Sequence, residues 1–160
     1  MPLFSVRVSA ETEGVTAIRP TRPRPWGLKV ICDSCKEQSP HFVYVDEDEQ
    51  CDSGGGGTRN TVFKCASCKT QISISIDTDS YGVYTPDEAQ RNDGAAVLTL
   101  DVRGGTPVEL EVDDRWVVSS EGETFDGVDL STDWMEYDEK SATSVSVSNF
   151  TVSFARKRGK

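Results

Sequence analysis

Two C-x-x-C motifs constrain the fold of this chain more than any other feature of its sequence. The first runs from Cys32 to Cys35 and the second from Cys65 to Cys68. A C-x-x-C pair at the tip of a strand-turn-strand unit places two sulfurs on one side of a tight turn, and two facing tips offer four thiolates in a tetrahedral arrangement. The spacing therefore predicts one structural Zn²⁺ ion held by these four cysteines, in the manner of a zinc ribbon.

The separation between the two motifs is longer than in a compact zinc ribbon. There are 29 residues between Cys35 and Cys65, against roughly 15–20 in the compact pattern. The surplus is an acidic, glycine-rich stretch, and lengthening a loop raises its closure entropy only logarithmically. An iron–sulfur cluster accepts the same ligands and stays as an alternative. A thioredoxin-like site is disfavoured because no helix is predicted after either motif.

The beginning of the chain indicates a reducing compartment. Residues 1–7 lack the cationic and apolar regions of a signal peptide, and no apolar run reaches the roughly 20 residues that span a bilayer. We therefore predict a cytoplasmic protein, small enough to enter the nucleus, without membrane association. Disulfide bonds between the cysteines are disfavoured in such a compartment.

Two-residue alternation of apolar and polar side chains predicts a mostly β fold. It is clear in residues 3–10 and 72–77, and in 144–156, where a change of parity between Val147 and Phe150 predicts a β-bulge. The chain reads as a single domain, 1–160, made of two small β lobes that are sandwich- or barrel-like. The approximate lobes are 1–80, with the four-cysteine site, and 81–160, which is acidic.

One or two short helices are predicted within this β pattern. Thr85 and Glu88 form a capping box with Pro86 at the first helical position, and Gly94 is a plausible end. Asp133 and Glu136 have the same spacing and predict a second short helix through Trp134 and Tyr137.

Three intervening features receive non-catalytic interpretations. Residues 19–26 contain three prolines and predict a rigid connector whose Trp26 packs beside the metal site, with a proline-motif ligand as the alternative. Residues 46–57, including Gly54–Gly57, predict a mobile loop in which Cys51 is a free thiol. His41, the single histidine, is predicted to point to solvent or pack rather than bind metal.

Charge is distributed unevenly and bears on the class of partner. The net charge is −10, residues 1–70 balance nine acids against nine bases, and residues 71–160 carry eighteen acids and eight bases. Four of those eight bases lie in the last five residues, a basic tail. The anionic half repels nucleic-acid phosphates and anionic membranes and suits either solubility or a basic protein partner.

The sequence offers few residues suited to catalysis. One histidine leaves almost no candidates for a triad or an imidazole base. Four thiolates also leave zinc no open position for an activated water. The adjacent carboxylates Asp113–Asp114 and Asp138–Glu139 are predicted to be solvated. We therefore predict a non-enzymatic protein without catalytic residues, with a carboxylate-based enzyme as a remote alternative.

Several stretches resemble one known family, the eukaryotic CXXC-motif-containing zinc-binding proteins, which are small proteins of unassigned function. The matching stretches are Arg19-Pro20, Trp26 to Cys35, Lys64 to Cys68, Arg103-Gly104 with Pro107-Val108, and Asp133 to Lys140. The resemblance implies a mostly β fold of two lobes, zinc held by Cys32, Cys35, Cys65 and Cys68, and no catalytic residues. The acidic Cys51 loop and the basic tail depart from the family, and no role is carried over to them.

These features favour a zinc-binding interaction module whose protein partner is unknown and which is itself a monomer. The first alternative is a metal-handling protein that exchanges zinc, or another thiophilic ion, with a partner. The second is a nucleic-acid-binding zinc ribbon, which the acidic charge disfavours. Its basic patch would comprise Arg19, Arg22, Arg24, Lys29, Lys36, Lys64 and Lys69.

Overall fold

Strands make up most of the structure, a computed structural model that describes residues 3–22, 24–52 and 58–157. Pro23, Gly54–Gly57 and the last three residues of the basic tail lie outside these ranges. The strands and the single helix of the described residues are β1 (Leu3–Glu13), β2 (Ala17–Pro20), β3 (Pro25–Cys32), β4 (Val43–Asp46), β5 (Cys51–Asp52), β6 (Thr58–Arg59), β7 (Thr61–Lys64), β8 (Gln71–Ile76), α1 (Pro86–Asn92), β9 (Ala95–Arg103), β10 (Gly105–Leu110), β11 (Trp116–Ser119), β12 (Thr124–Val128), β13 (Trp134–Asp138) and β14 (Thr143–Lys157).

The sheets repeat an internal two-fold pattern. One sheet has six strands in the order β13-β14-β1-β9-β8-β7, and two have three strands, β10-β3-β4 and β12-β11-β2. Exchanging β1 with β9, β2 with β10, β3 with β11, β4 with β12, β7 with β13 and β8 with β14 reproduces all three orders. Two related β lobes are therefore present, and both contribute strands to the six-stranded sheet. The boundary near residue 80 stays a prediction.

The strand pattern follows from side-chain alternation, as predicted. Phe4, Val6 and Val8 of β1 are buried, and the residues between them face outward or are half-buried. The predicted bulge in β14 is also confirmed. One residue of β1, Ala10, lies opposite two of β14, Asn149 and Phe150, and Asn149 has a φ of 53°.

One of the two predicted helices is present in the described residues. Thr85 caps α1 by accepting a hydrogen bond from the backbone N–H of Glu88, and the helix ends at Asp93 in the left-handed region. The prediction of a second short helix through Trp134 and Tyr137 is wrong, because both residues lie in β13, which pairs antiparallel with β14. A single capping pattern stabilises a helix less than the cross-strand pairs of a whole strand stabilise a sheet. No helix in the described part of the chain is long and apolar enough to cross a membrane.

The described part of the predicted mobile loop is ordered by specific contacts, so that prediction is wrong there. Cys51 lies on β5, which pairs with β6, and its half-buried thiol is 3.8 Å from the carbonyl oxygen of Asn60. The Asn60 amide donates to the carbonyl oxygens of Glu47 and Glu49 at 3.3 and 2.8 Å. The acidic composition of this stretch gives no sign of these contacts or of the 2.9 Å ion pair between the Glu47 carboxylate and the Arg22 guanidinium.

The proline-rich connector contributes a buried arginine to the core. The Arg24 guanidinium lies 4.0 Å from the ring of Trp26 and 5.3 Å from that of Trp116, and it donates to Asp113 at 2.9 Å. Trp26 is near the start of β3 and Cys32 ends it, a separation of about 20 Å along an extended strand. The prediction that Trp26 packs beside the metal site is therefore wrong.

Candidate metal centre

The first C-x-x-C motif forms a tight turn at the end of β3. The backbone N–H of Lys36 donates to the carbonyl oxygen of Cys32 at 2.9 Å, and the N–H of Cys32 donates to that of Glu37 at 2.9 Å. Lys36 has a φ of 66°, in the region that normally favours glycine. Its ammonium group donates to the carbonyl oxygen of Asp33 at 2.7 Å, so the side chain supports the turn that its own backbone strains.

The second motif, between β7 and β8, repeats this geometry residue by residue. The N–H of Lys69 donates to the carbonyl oxygen of Cys65 at 3.0 Å, and the N–H of Cys65 donates to that of Thr70 at 2.8 Å. Lys69 has the same φ of 66°, and its ammonium donates to the carbonyl oxygen of Ala66 at 3.3 Å. Two equivalent turns thus present two pairs of sulfurs.

The four sulfurs of these turns form one cluster. Cys32 Sγ lies 3.6 Å from Cys68 Sγ, and Cys35 Sγ lies 3.5 Å from Cys65 Sγ. All four atoms lie within 4.8 Å of one another. Tetrahedral zinc with bonds of about 2.3 Å places its sulfurs about 3.8 Å apart. The donor set and its spacing therefore fit a four-thiolate metal site, and the four predicted cysteines are brought together.

Hydrogen bonds from the turns favour the thiolate form of two ligands. The Thr70 hydroxyl, 3.1 Å from Cys68 Sγ, and the Thr70 backbone N–H lower the pKa of Cys68 to about 6. Backbone N–H groups of Cys68 and Ser67 likewise lower the pKa of Cys65. Thr70 was not predicted from the sequence, because a hydroxyl two residues past a ligand has no distinctive pattern. Such groups orient and activate metal ligands without binding the metal.

The pKa of Cys35 shifts in the opposite direction to those of Cys65 and Cys68. The backbone N–H of Glu37 favours its thiolate, but desolvation and the three neighbouring thiols raise the pKa of Cys35 to about 12. A metal ion binds the thiolate form, so metal binding at this cluster releases protons.

The corner between β9 and β10 forms a third wall of the centre. The backbone N–H of Asp33 donates to the carbonyl oxygen of Gly104 at 3.0 Å, and Thr106 Oγ1 donates to Asp33 Oδ1 at 2.9 Å. Gly104 has a φ of 83°, and a Cβ there would collide with the carbonyl oxygen of Gln71, just beyond the second motif. A Cβ on Gly105 would lie 2.5 Å from Val30 Cγ1. These glycines therefore allow the corner to touch both sides of the centre.

The centre joins two sheets and is exposed on one side. Cys32 ends a strand of the three-stranded sheet, and Cys65 follows the edge strand of the six-stranded sheet. Both are buried, whereas Cys35 is half-buried and Cys68 is exposed. On the buried side a cavity of about 360 Å³ adjoins Cys32 and Cys65, between residues 37–43 and β7. The exposed His41 lines this cavity and does not join the sulfur cluster, in agreement with its predicted role outside the metal site.

The second lobe has a carboxylate where the first has its thiols. All cysteines of the chain lie between residues 32 and 68, and the equivalent turns of the second lobe follow β11 and β13. There the fully buried Asp138 accepts hydrogen bonds from the Ser120 hydroxyl and from the backbone N–H groups of Gly122 at 2.7 Å, Lys140 at 3.0 Å and Ser141 at 3.1 Å. Asp138 thus ties two turns together without a metal.

The prediction that the pairs Asp113–Asp114 and Asp138–Glu139 are solvated is therefore wrong for one member of each pair, Asp113 and Asp138. Desolvation would raise the pKa of Asp138, but hydrogen bonds from Ser120, Ser141 and Gly122 outweigh it and hold the pKa well below its usual range. Asp113 is engaged by the buried Arg24. Their neighbours Asp114 and Glu139 are exposed, as predicted. In each pair the sequence alone does not indicate which of two adjacent acids faces inward.

Comparison with known proteins identifies relatives over the whole length of the chain. The family model for "CXXC motif containing zinc binding protein, eukaryotic" matches residues 5–155. The chain is 35% identical to UPF0587 protein CG4646 of Drosophila melanogaster, with 98% of each chain covered. It is 27% identical to the CXXC motif containing zinc binding protein of Homo sapiens, over 98% of this chain and 99% of that one.

Solved structures show the same fold. The chain matches a structure described as "Crystal Structure of C1orf123" with a TM-score of 0.86 and 26% identity, over 97% of this chain and 99% of that one. It also matches a "Hypothetical protein from plasmodium falciparum" with a TM-score of 0.81 and 18% identity, over 97% and 100% of the two chains. At that identity the second match shows the fold alone.

Proposed function

This chain belongs to the family of eukaryotic CXXC motif containing zinc binding proteins, and from that premise we propose that it is a non-enzymatic zinc protein acting as a protein-interaction module. One zinc ion binds Cys32, Cys35, Cys65 and Cys68 and fixes the three-stranded sheet of the first lobe against the six-stranded sheet. The observation that carries the proposal is the four-sulfur cluster, whose members lie within 4.8 Å of one another and come from two different sheets.

The chemistry of the cluster supports a structural role for the ion. Four thiolates fill a tetrahedral zinc site and leave no coordination position for a substrate or an activated water. The hydrogen-bonded turns of the two motifs and the glycine corner of β9 and β10 position the four sulfurs around one point. We place the protein in a reducing compartment such as the cytoplasm, since free thiolates are maintained there. We also propose that it is a monomer.

A chelator titration tests this role. The zinc-loaded chain is exposed to a strong zinc chelator while metal release is followed by a colorimetric zinc indicator and the fold by circular dichroism. We expect release and loss of first-lobe structure to occur together, because metal binding and folding are coupled in such sites. A Cys51→Ser variant is the matched control and behaves like the natural chain, whereas Cys65→Ser loses the ion. Rapid release with an unchanged fold would contradict the structural role.

Metal exchange with another thiolate protein is the second candidate function. It is favoured by one observation, the exposure of Cys68 and partial exposure of Cys35, which gives an incoming thiol access to one side of the centre. A small-molecule dithiol competitor separates the candidates by the rate of transfer. If zinc passes to the dithiol in seconds while the fold persists, exchange is favoured; if transfer requires unfolding, exchange loses its support.

The nucleic-acid alternative is disfavoured by the contacts of its proposed basic residues. Arg24 is buried and paired with Asp113, and Arg22 donates to Glu47. The remaining basic residues of the proposed patch belong to a chain whose net charge of −10 repels phosphates. We expect no salt-dependent retardation of single- or double-stranded RNA or DNA, even at low ionic strength.

A further inference from the structure

The edge strand β13 presents an apolar surface that the fold itself leaves uncovered. It is one of the two outermost strands of the six-stranded sheet, and among the described residues its one strand partner is β14. Met135 is 75% exposed and Tyr137 is 51% exposed, and both project from the same face because they alternate along the strand. An edge strand carries a row of backbone N–H and C=O groups that can pair with another chain. This surface, residues 134–138, is called the β13 edge below.

Hydrogen bonds anchor the β13 edge at both ends. At its start the Asp133 carboxylate accepts the backbone N–H of Asn149 at 3.3 Å. At its end the buried carboxylate of Asp138 fixes the strand to the turn around Gly122. A strand held at both ends loses little further conformational freedom when it pairs with another segment, which lowers the cost of binding.

Charge determines what can cover this edge. Asp133, Glu136 and Glu139 are all exposed along it, and Glu136 projects from the face opposite to Met135 and Tyr137. A second copy of the chain would bring these acids against their own equivalents, because both edges carry the same charges. An inward-facing charge also guards an edge against unspecific pairing. A basic side chain placed opposite Glu136 removes that obstacle.

We propose that the β13 edge binds an extended segment of a partner protein by strand addition, and that this segment alternates basic and apolar residues. The backbone of the segment pairs with β13, its apolar side chains cover Met135 and Tyr137, and its Lys or Arg side chains meet Glu136 and the flanking acids. This proposal rests on the proposed function, since it names the surface and the chemical class of partner for an interaction module.

A peptide-binding experiment tests the proposal with the full, zinc-loaded chain. The probe is a fluorescein-labelled synthetic peptide of alternating lysine and valine, and binding is followed by fluorescence anisotropy. We expect saturable binding to the natural chain. A Met135→Lys/Tyr137→Lys double variant should bind at least about tenfold more weakly, because it lacks the two apolar side chains that the peptide covers and its new lysines repel the basic peptide. The control variants are the single changes Met135→Lys and Val108→Lys, which add one positive charge each, on the β13 edge and at an exposed residue of β10. Val108→Lys should weaken binding far less than Met135→Lys.

Two further measurements separate strand addition from general electrostatic attraction. The same peptide methylated on alternate backbone nitrogens cannot complete the ladder, so it should bind at least about tenfold more weakly. Amide hydrogen exchange of the natural chain should slow at β13 when the peptide is added, a readout that needs no variant. Equal binding of the methylated peptide, equal binding of the double variant, or no protection at β13 would overturn the proposal.

The remaining outcomes also decide the question. If light scattering shows a dimer that the double variant abolishes, the occupant is a second copy and the proposal is wrong. No peptide binding by the folded, zinc-loaded chain likewise overturns it. Neither result bears on the zinc role, which is tested by chelator titration and by the metal content of the chain, so the failure of this proposal and that of the proposed function are distinguishable.

Discussion

Replacing Arg24 by alanine tests whether the basic connector serves the core rather than a ligand. The Arg24 side chain is fully buried, and its guanidinium donates to Asp113 at 2.9 Å and to the carbonyl oxygens of Arg115 and Pro25 at 3.0 and 3.2 Å. It also lies within 5.3 Å of the ring centroids of two tryptophans, Trp26 and Trp116. Burial lowers the pKa of Arg24 to about 10, and the nearby Asp113 carboxylate opposes that shift. The arginine thus stays charged at neutral pH.

The size of the effect follows from what the substitution leaves behind. Breaking a buried ion pair costs about 3–5 kcal/mol, because the remaining charge loses its partner. Asp113 is 17% exposed and has Arg115 at 3.9 Å, so water and a second arginine reduce this cost toward the lower end. The lost stacking on tryptophan adds about 1 kcal/mol. We expect Arg24→Ala to lower the free energy of unfolding by about 4 kcal/mol.

Urea denaturation of the zinc-loaded protein, followed by tryptophan fluorescence, measures this change. Arg22→Ala is the comparison variant. Arg22 is 45% exposed, and its partner Glu47 keeps a hydrogen bond from the Tyr81 hydroxyl at 3.2 Å, so the loss should be smaller. The double variant Arg24→Ala/Asp113→Ala should lose less than the sum of the two single variants. Equal losses for Arg24→Ala and Arg22→Ala, or strict additivity, would refute the reasoning.

Three further predictions concern the turns of the two lobes. Asp138→Asn should destabilise the second lobe without changing zinc content. Because the native pKa of Asp138 is depressed, the loss of stability relative to the natural chain should be largest above about pH 4 and shrink as the pH falls. Urea denaturation across that pH range measures this loss. Lys69→Gly should retain zinc affinity better than Lys69→Ala, because only glycine adopts a φ of 66° without strain; equal affinities would contradict this. Gly105→Val should weaken zinc binding by displacing Val30 of β3, and a chelator competition with unchanged affinity would argue against the third wall.

The two lobes hold their turns together by different chemistry, four cysteines in the first and one buried carboxylate in the second. Four clustered cysteines can all be thiolates only when a cation offsets their charge, whereas a single buried carboxylate is satisfied by neutral donors. The first lobe should therefore respond to metal removal, and the second to acid. This difference lies in the turns alone, since the strand orders of the two lobes are equivalent.

The sequence predicts those features that depend on local patterns. The cysteine cluster, the Thr85 cap and the β14 bulge were all found, because spacing, capping and side-chain parity are read within a few residues. The Asp133–Glu136 helix was wrong for the same reason, since a capping pattern takes no account of strand pairing with residues 143–147.

Features that depend on distant contacts could not be predicted. Arg24 is buried only because Trp116 and Asp113, about 90 residues later, close over it. Asp138 meets Ser120 and Gly122 across two turns, and nothing in the sequence distinguishes it from the exposed Glu139. The two-fold relation of the lobes is likewise a property of strand order rather than of residue identity.

Native mass spectrometry of the protein purified under reducing conditions tests the central claim most directly, that one zinc ion is held by the four-cysteine cluster. We expect the natural chain and Cys51→Ser to carry one zinc ion each, and Cys32→Ser/Cys65→Ser to carry none. An iron–sulfur cluster, more than one ion, or full zinc retention by the double variant would contradict the account.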